Sequence, residues 1–248
     1  MDQKSFEDNY VYEQTYWWFL GRRKIVNTLI KKYSGNKADA LALDIGCGTG
    51  IILNDLKEFS IPVGIDFSKI AMEFAKKRGH KNLICGDACN LPFKNETFDL
   101  ITILGVLYNK DIKDDDRAIE ESCRVLKKEG TIIIDEAAYN SLQSKHNVSV
   151  GGVRRYTSSQ LIDKCRKYGL RVIKSSYWNV LMLPVFYLIV KLEKYFITGQ
   201  QYSKLSSIPK VINYILKLYL YLEAFLMKYM RFPFGPSIII VAKKDGNI

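Results

Sequence analysis

The sequence predicts an α/β fold, a mostly parallel sheet of seven strands with helices packed on both faces. Two observations carry this. Short apolar runs of strand length alternate with segments of helical periodicity, and the first run empties into a glycine-rich turn that opens a helix. At 248 residues the chain has room for one such domain and an elaboration of it.

In chain order, strands are expected at 40–44, 62–66, 82–86, 98–104 and 131–135. Before the fifth, a helix at 116–126 places Ile119, Cys123 and Leu126 on one face and Arg117, Glu120 and Glu121 on another. The following Lys-Lys-Glu-Gly, 127–130, reads as a glycine-terminated helix stop. Thr157-Ser158-Ser159-Gln160 fits a capping box at the start of another helix, which runs through Leu161, Ile162, Cys165 and Tyr168 to Gly169. A sixth strand is expected at 170–177 and a last one, antiparallel to the rest, at 237–242. Late strands that pair need only a short connection, so residues 179–235 form an insertion whose length points to a function. The chain therefore divides into an N-terminal helical lid at 1–38, a core at 39–178, an amphipathic helical insertion at 179–235, and a final core strand with its tail at 236–248.

The formal charge is +11, but it is regional: residues 145–231 hold 15 Lys/Arg against 3 Asp/Glu, leaving 22 against 23 elsewhere. The same region carries the longest apolar runs. A membrane surface rich in anionic lipid therefore competes with nucleic acid as its partner. The run at 180–190 is shorter than a bilayer span, and Lys210, Asn213, Lys217, Glu223 and Lys228 interrupt the run at 208–229. A cap packed on the domain, an interfacial helix and a homodimer surface all remain open for the insertion. Five cysteines make no even disulfide framework, two histidines supply no metal-site pattern, and the N-terminus is polar and acidic; the expectation is a cytoplasmic protein, peripheral to membrane if it meets one, without a structural metal.

Chemistry concentrates at the ends of the expected strands. Asp44 closes the first, and Gly46-Cys47-Gly48-Thr49-Gly50 follows, a turn whose glycines let a ligand approach the backbone while a helix start offers unpaired N–H groups. Its spacing is G-x-G-x-G, not the G-x-G-x-x-G of dinucleotide sites. Asp66 ends the second strand, where a carboxylate can accept both hydrogen bonds of a ribose. Asp87 ends the third strand and Leu104 the fourth.

Taken together, Leu-Asp-Ile-Gly-Cys-Gly-Thr-Gly, Gly-Ile-Asp-Phe-Ser, Gly-Asp-Ala-x-x-Leu-Pro-Phe, Phe-Asp-Leu-Ile and Arg-Val-Leu-Lys-Lys-Glu-Gly, in this order over residues 40–136, resemble the class I S-adenosylmethionine-dependent methyltransferases, whose sheet is Rossmann-like. The resemblance implies that S-adenosyl-L-methionine is the cofactor. It implies that Gly46, Cys47 and Gly48 approach the methionine part, Asp66 holds the ribose, Phe67 flanks the adenine, Asp87 and the Ala88 N–H read the adenine edge, and the backbone at Leu104 meets the amino group. Asp44 either orients the glycine loop or meets the amino group through water. Tyr16-Trp17-Trp18-Phe19-Leu20-Gly21-Arg22-Arg23 is similar to the segment preceding the core in a bacterial branch of the family; it is a docked helix, or a lid in which Arg22 or Arg23 pairs with the cofactor carboxylate.

In-line methyl transfer asks mainly for alignment and a dry site, and for a base only when the acceptor is a hydroxyl or an ammonium. The loop after the fourth strand has Asn109 where relatives carry histidine, which leaves Tyr108, with Tyr139, His146 and Tyr156, as candidates to face the acceptor. The acceptor itself is expected to be an O or N atom of a small-molecule, glycan or lipid-linked compound. Nucleic-acid methylation is the alternative, and a catalytically silent cofactor-binding scaffold a third.

Overall fold

The computed structural model describes residues 3–35, 39–149, 151–193 and 208–246. Seven strands, β1 (Leu41–Ile45), β2 (Ile61–Asp66), β3 (Leu83–Cys85), β4 (Phe98–Leu104), β5 (Leu126–Ala137), β6 (Leu170–Trp178) and β7 (Ser237–Lys244), form one sheet in the order β3-β2-β1-β4-β5-β7-β6. The first five run parallel, and β7 lies antiparallel between β5 and β6. The order reverses between β1 and β4, and the crevice beyond the strands' carboxyl ends at such a reversal is where open α/β sheets bind ligands.

Side-chain alternation builds the two layers. On one face Leu43 and Ile45 of β1, Ile101 and Ile103 of β4, Ile132 and Ile134 of β5 and Ile238 and Ile240 of β7 pack against α5 (Asp115–Val125) and α7 (Ser158–Lys167). On the other, Ala42, Leu100, Ile133, Ile239 and Val241 meet α2 (Trp17–Tyr33) and α3 (Ile51–Leu56). The capping box of α7 forms as the sequence predicts, with Thr157 and Gln160 bonding reciprocally. The glycine stop expected at 127–130 does not end α5. Its backbone leaves the helix at Leu126, already extended at φ −75° and ψ 134°, and 127–130 belong to β5. Pairing of Leu126 with Phe98 in β4 captures this segment as strand, and Glu129, at φ 58°, takes the left-handed conformation.

The N-terminal helices, α1 (Gln3–Tyr12) and α2, join the described part of the insertion, α8 (Leu183–Glu193) and α9 (Lys210–Leu226); α4 (Lys69–Lys77) and α6 (Lys145–Ser149) complete the helices named here. Leu220 and Ala224 of α9, with Met227 at its C-cap, enter the same core layer as Ile25, Leu29 and Ile30 of α2. Asn213 secures the junction at both polar groups, since its Oδ1 accepts from the Trp17 N–H at 2.8 Å and its Nδ2 donates to the Thr15 carbonyl at 2.8 Å. This supplies the cap that Tyr16, at the α2 N-cap, lacks. The Glu223 carboxylate, buried on the inner side of α9, accepts the N–H groups of Asn179 and Val180 and the Tyr219 hydroxyl, and so ties α9 to the end of β6. Within the described residues no helix is long and apolar enough to cross a membrane.

At Gly21, α2 and α9 approach closely, since a Cβ there would stand 2.5 Å from Leu220 Cβ. Gly21→Ala gains up to about 1 kcal/mol of helix propensity but must push a buried leucine and its helix aside, which costs about 1–3 kcal/mol. The expected outcome is a net loss of stability in urea unfolding, larger for Gly21→Val. An alanine variant more stable than the parent would show that the helices are not held at this distance.

Candidate functional site

The carboxyl ends of β1, β2, β4 and β5 converge on the glycine turn. The Gly46 and Cys47 N–H groups donate to the Ile65 carbonyl at 2.8 and 3.1 Å, and Gly48 N–H donates to Asp66 Oδ2 at 2.9 Å, so the turn is stitched to the end of β2. Gly46 and Gly48 both have positive φ, but they differ in surroundings. A Cβ on Gly46 would meet Val106 at 2.5 Å, whereas one on Gly48 would meet nothing within 4 Å. Gly48 therefore faces open space, in a conformation that keeps side chains out of it.

Around that space stand the expected acids. Asp66 is buried and gives one oxygen to Gly48 N–H and the other to Ser68 N–H at 2.9 Å; burial raises its pKa against both bonds. Phe67 beside it is exposed. Asp87 accepts from Cys89 N–H at 2.8 Å, and Ala88 is buried next to it. The β1–β4 register sets Asp44 opposite Thr102, whose hydroxyl donates to it at 2.6 Å, yet burial still pushes the Asp44 carboxyl up to about 7. Cys47 is a buried thiol whose pKa burial raises, so it packs as a small apolar group.

The N-terminal helices close over this edge by ion pairs that the sequence alone did not reveal. Arg22 Nε donates to Asp135 Oδ2 at 2.6 Å, and Trp178 Nε1 donates to Asp135 Oδ1 at 2.7 Å. Arg22 also lies over the Trp18 ring, which stacks on Trp178, while its Nη2 lies 2.9 Å from where a Cβ of Gly105 would stand. Arg22 thus reaches the end of β4, next to Leu104. Arg23 points elsewhere and forms a two-pronged pair with Asp55. Glu13, just beyond α1, is buried against the glycine turn, where it accepts from the Thr49 hydroxyl and from Arg78 Nη2 at 3.0 Å. Arg78 Nε in turn donates to the Thr49 carbonyl at 2.8 Å. Glu13, Arg78, Asp135 and Glu136 are functional-edge residues with no motif around them; an acid in a polar N-terminal stretch carries no signal of what it will be buried against.

The expected acceptor-facing residues separate. Glu136 accepts the N–H groups of Val106, Leu107 and Tyr108 and fixes the loop after β4; burial pushes its carboxyl up to about 8. The Tyr108 phenol is buried in that loop, and desolvation raises its pKa. Tyr139 stacks on Tyr177 with ring centroids 5.1 Å apart, and burial raises its pKa as well. Both phenols hold their protons, the opposite of what a general base needs. Tyr156 is spent on structure, since its hydroxyl meets the Leu107 carbonyl at 3.1 Å and Asp115 at 2.8 Å. Asn109 accepts its own loop's Asp111 N–H at 3.0 Å. The His146 side chain lies outside the described residues. The space over Gly48, the two unspent lone-pair directions of Asp66 and the cationic Arg22 at the end of β4 fit a ligand with a ribose and an amino-acid carboxylate.

Residues 43–134 match the family described as Methyltransferase domain. A probable tRNA methyltransferase 9B from Homo sapiens is 35% identical over 126 residues, 50% of this chain and 27% of that protein. A 2-phytyl-1,4-naphtoquinone methyltransferase from Nostoc punctiforme is 34% identical over 129 residues, 47% of this chain and 55% of that protein. These matches therefore span about a quarter to a half of the relatives' own length. Among solved structures, the Haloferax volcanii chain found in complex with the Trm112 methyltransferase activator superposes with a TM-score of 0.63 at 17% identity, over 98% of this chain and 97% of that one. The [4+2]-cyclase SpnF superposes with a TM-score of 0.58 at 20% identity, over 90% and 81%. Motif order, sheet topology and the family match over residues 43–134 agree: this part of the chain is a methyltransferase domain, similar to the class I S-adenosylmethionine-dependent enzymes.

Proposed function

We propose that this protein transfers a methyl group from S-adenosylmethionine to an O or N atom of a small-molecule or lipid-linked acceptor, working against an anionic membrane surface. The observation that carries the cofactor reading is the open space over Gly48 beside the buried Asp66 carboxylate. When bound, the cofactor supplies an electrophilic methyl on a sulfonium. Asp66 would accept the ribose hydroxyls, Phe67 would cover one adenine face, Asp87 and the Ala88 N–H would read the adenine edge, and Arg22 would take the carboxylate. The loop held by Glu136 and the helices tied by Glu13 and Asp135 would keep water from the acceptor's approach. An acceptor lone pair would form the new bond to carbon as the carbon–sulfur bond breaks, its electron pair staying on sulfur. Burial raises the pKa of Tyr108 and Tyr139, which argues against either phenol as the base that takes the acceptor's proton.

The membrane reading rests on α8 and α9. Val185, Leu188, Ile189 and Leu192 on α8, and Val211, Ile215, Leu218, Leu222 and Phe225 on α9, are exposed. Lys191, Lys210, Lys217, Lys228 and Arg231 stand among them, while Glu223, the acid of α9, is buried and spent. Lys194 and Lys204, expected to share this role, lie outside the described residues. Among the described side chains, apolar faces fringed by cations complement an anionic bilayer surface. RNA is the second reading, favoured by the likeness to a tRNA methyltransferase and by the +11 charge.

Three outcomes test this. Asp66→Ala should weaken cofactor binding at least about tenfold in calorimetry, because charge-assisted bonds are worth roughly 1.5–3 kcal/mol each; unchanged affinity would remove the ribose site. Cofactor affinity should rise with pH between about 5.5 and 7.5. Asp44 holds its proton up to about 7, a cationic ligand favours its ionised form, and binding therefore releases a proton; Asp44→Asn should flatten the dependence. Flotation at low salt should recover the protein with liposomes containing anionic lipid, and Lys210→Glu with Lys217→Glu should release it. Indifference to liposomes together with salt-sensitive retention of RNA would favour the second reading. Labelled cofactor, incubated with the protein and a cell extract, identifies the acceptor by mass spectrometry.

A further inference from the structure

Six arginines among the described residues are half-buried: Arg22, Arg23, Arg78, Arg124, Arg154 and Arg155. Four are matched by carboxylates, Arg22 by Asp135, Arg23 by Asp55, Arg78 by Glu13 and Arg124 by Glu121. Arg154 is absorbed by the carbonyls of Leu107, Asn109, Ile112 and Lys113. Arg155 differs from all of these. Its Nε donates to Gln143 Oε1 at 3.0 Å and its Nη1 to the Ala138 carbonyl at 2.8 Å, and it has no carboxylate partner among the described residues. Desolvation without a counter-charge pushes its pKa down to about 10. A guanidinium withdrawn from water in this way is short of an anion.

Its position gives that shortage a meaning. Arg155 and Arg22 both act electrostatically on Tyr108, the buried ring after β4 that lies beside Gly105 and Gly152. Arg22, at the end of β4, and Arg155 therefore both lie near this ring. The partners of Arg155 are also the chain neighbours of two residues that line an apolar groove of about 390 Å³. Ala138 precedes Tyr139 and Gln143 follows Leu142, and both Tyr139 and Leu142 line the groove with Leu183, Pro184 and Tyr187 of α8. Tyr139 adopts φ 57° and ψ 117°, a strained backbone for a tyrosine, at the turn that brings these groups together.

We infer that the acceptor is an anionic amphiphile, its carboxylate or phosphate received by Arg155 and its apolar body laid in the groove between Tyr139, Leu142 and α8. This rests on the methyl-transfer reading, since it places the acceptor near Tyr108, the ring that Arg22 also approaches. It names the charge that the substrate must carry.

Calorimetric titration of the full chain with octyl phosphate, octanoate and 1-octanol, below their aggregation concentrations, tests it. Octyl phosphate or octanoate should bind, and which binds tighter names the source of the charge; 1-octanol should bind at least tenfold more weakly than the better anion. Arg155→Gln should weaken the better anion at least tenfold and Arg155→Lys less, while cofactor affinity stays within twofold of the parent. Equal binding of 1-octanol, or an anion affinity indifferent to Arg155→Gln, would overturn the inference. Loss of cofactor affinity in Arg155→Gln would overturn it too, by assigning the guanidinium to the cofactor carboxylate. If circular dichroism shows Arg155→Gln misfolded, Leu183→Glu at the groove supplies the decision. Repulsion there should weaken the better anion at least tenfold, and an unchanged affinity would overturn the inference. A parent that fails to bind the cofactor at all would instead remove the methyl-transfer reading.

Discussion

One buried carboxylate holds the molecule's layers together. Asp135, at the carboxyl end of β5, receives Arg22 from α2 and the Trp178 indole from the end of β6, so the N-terminal helices, the central sheet and the start of the insertion meet on its two oxygens. Burying such a group is costly in isolation, and burial does raise its pKa; the two charge-directed bonds are what make the arrangement stable. Removing either partner leaves a buried acid incompletely satisfied, so α2 and the end of β6 are coupled through the core, as α2 and α9 are through their contact at Gly21.

The same economy recurs along the sheet's carboxyl edge. Asp44, Asp66 and Glu136 are each buried and each engaged with a hydroxyl or with backbone N–H groups. Parallel strands end here without a neighbour to continue the ladder, and the turns that follow must satisfy their own polar groups. Acids that accept several N–H groups fix these turns rigidly. The edge consequently gathers several buried carboxylates in fixed positions.

The insertion has a divided character. Its inner side is ordinary protein interior, with Leu220, Ala224 and Met227 buried and Glu223 locking α9 to the residues after β6. Its outer side is unlike a solvated surface, since long apolar side chains alternate with lysines that lie over neighbouring aromatic rings, such as Lys191 over Tyr187 and Lys217 over Tyr214. A domain cap needs only the inner side. The outer side keeps its apolar side chains exposed.

The sequence by itself determined the sheet, its seven strands and the glycine turn, because strand runs, G-x-G-x-G and the acids at strand ends are local patterns whose meaning depends on neighbours within a few residues. It also located the insertion, since β6 and β7 are recognisable and the distance between them is not a hairpin's. It misjudged the end of α5, where the glycine of 127–130 suggested a helix stop and pairing with β4 made strand instead. Only the tertiary structure decided that Arg22 turns to Asp135 and Arg23 to Asp55, that Glu13 locks onto Thr49, that burial raises the pKa of Tyr108 and Tyr139, and that Arg155 has no carboxylate partner among the described residues. Those facts depend on charges brought together from segments as far apart as residues 22 and 135, and on how much water each loses there, which no local pattern encodes.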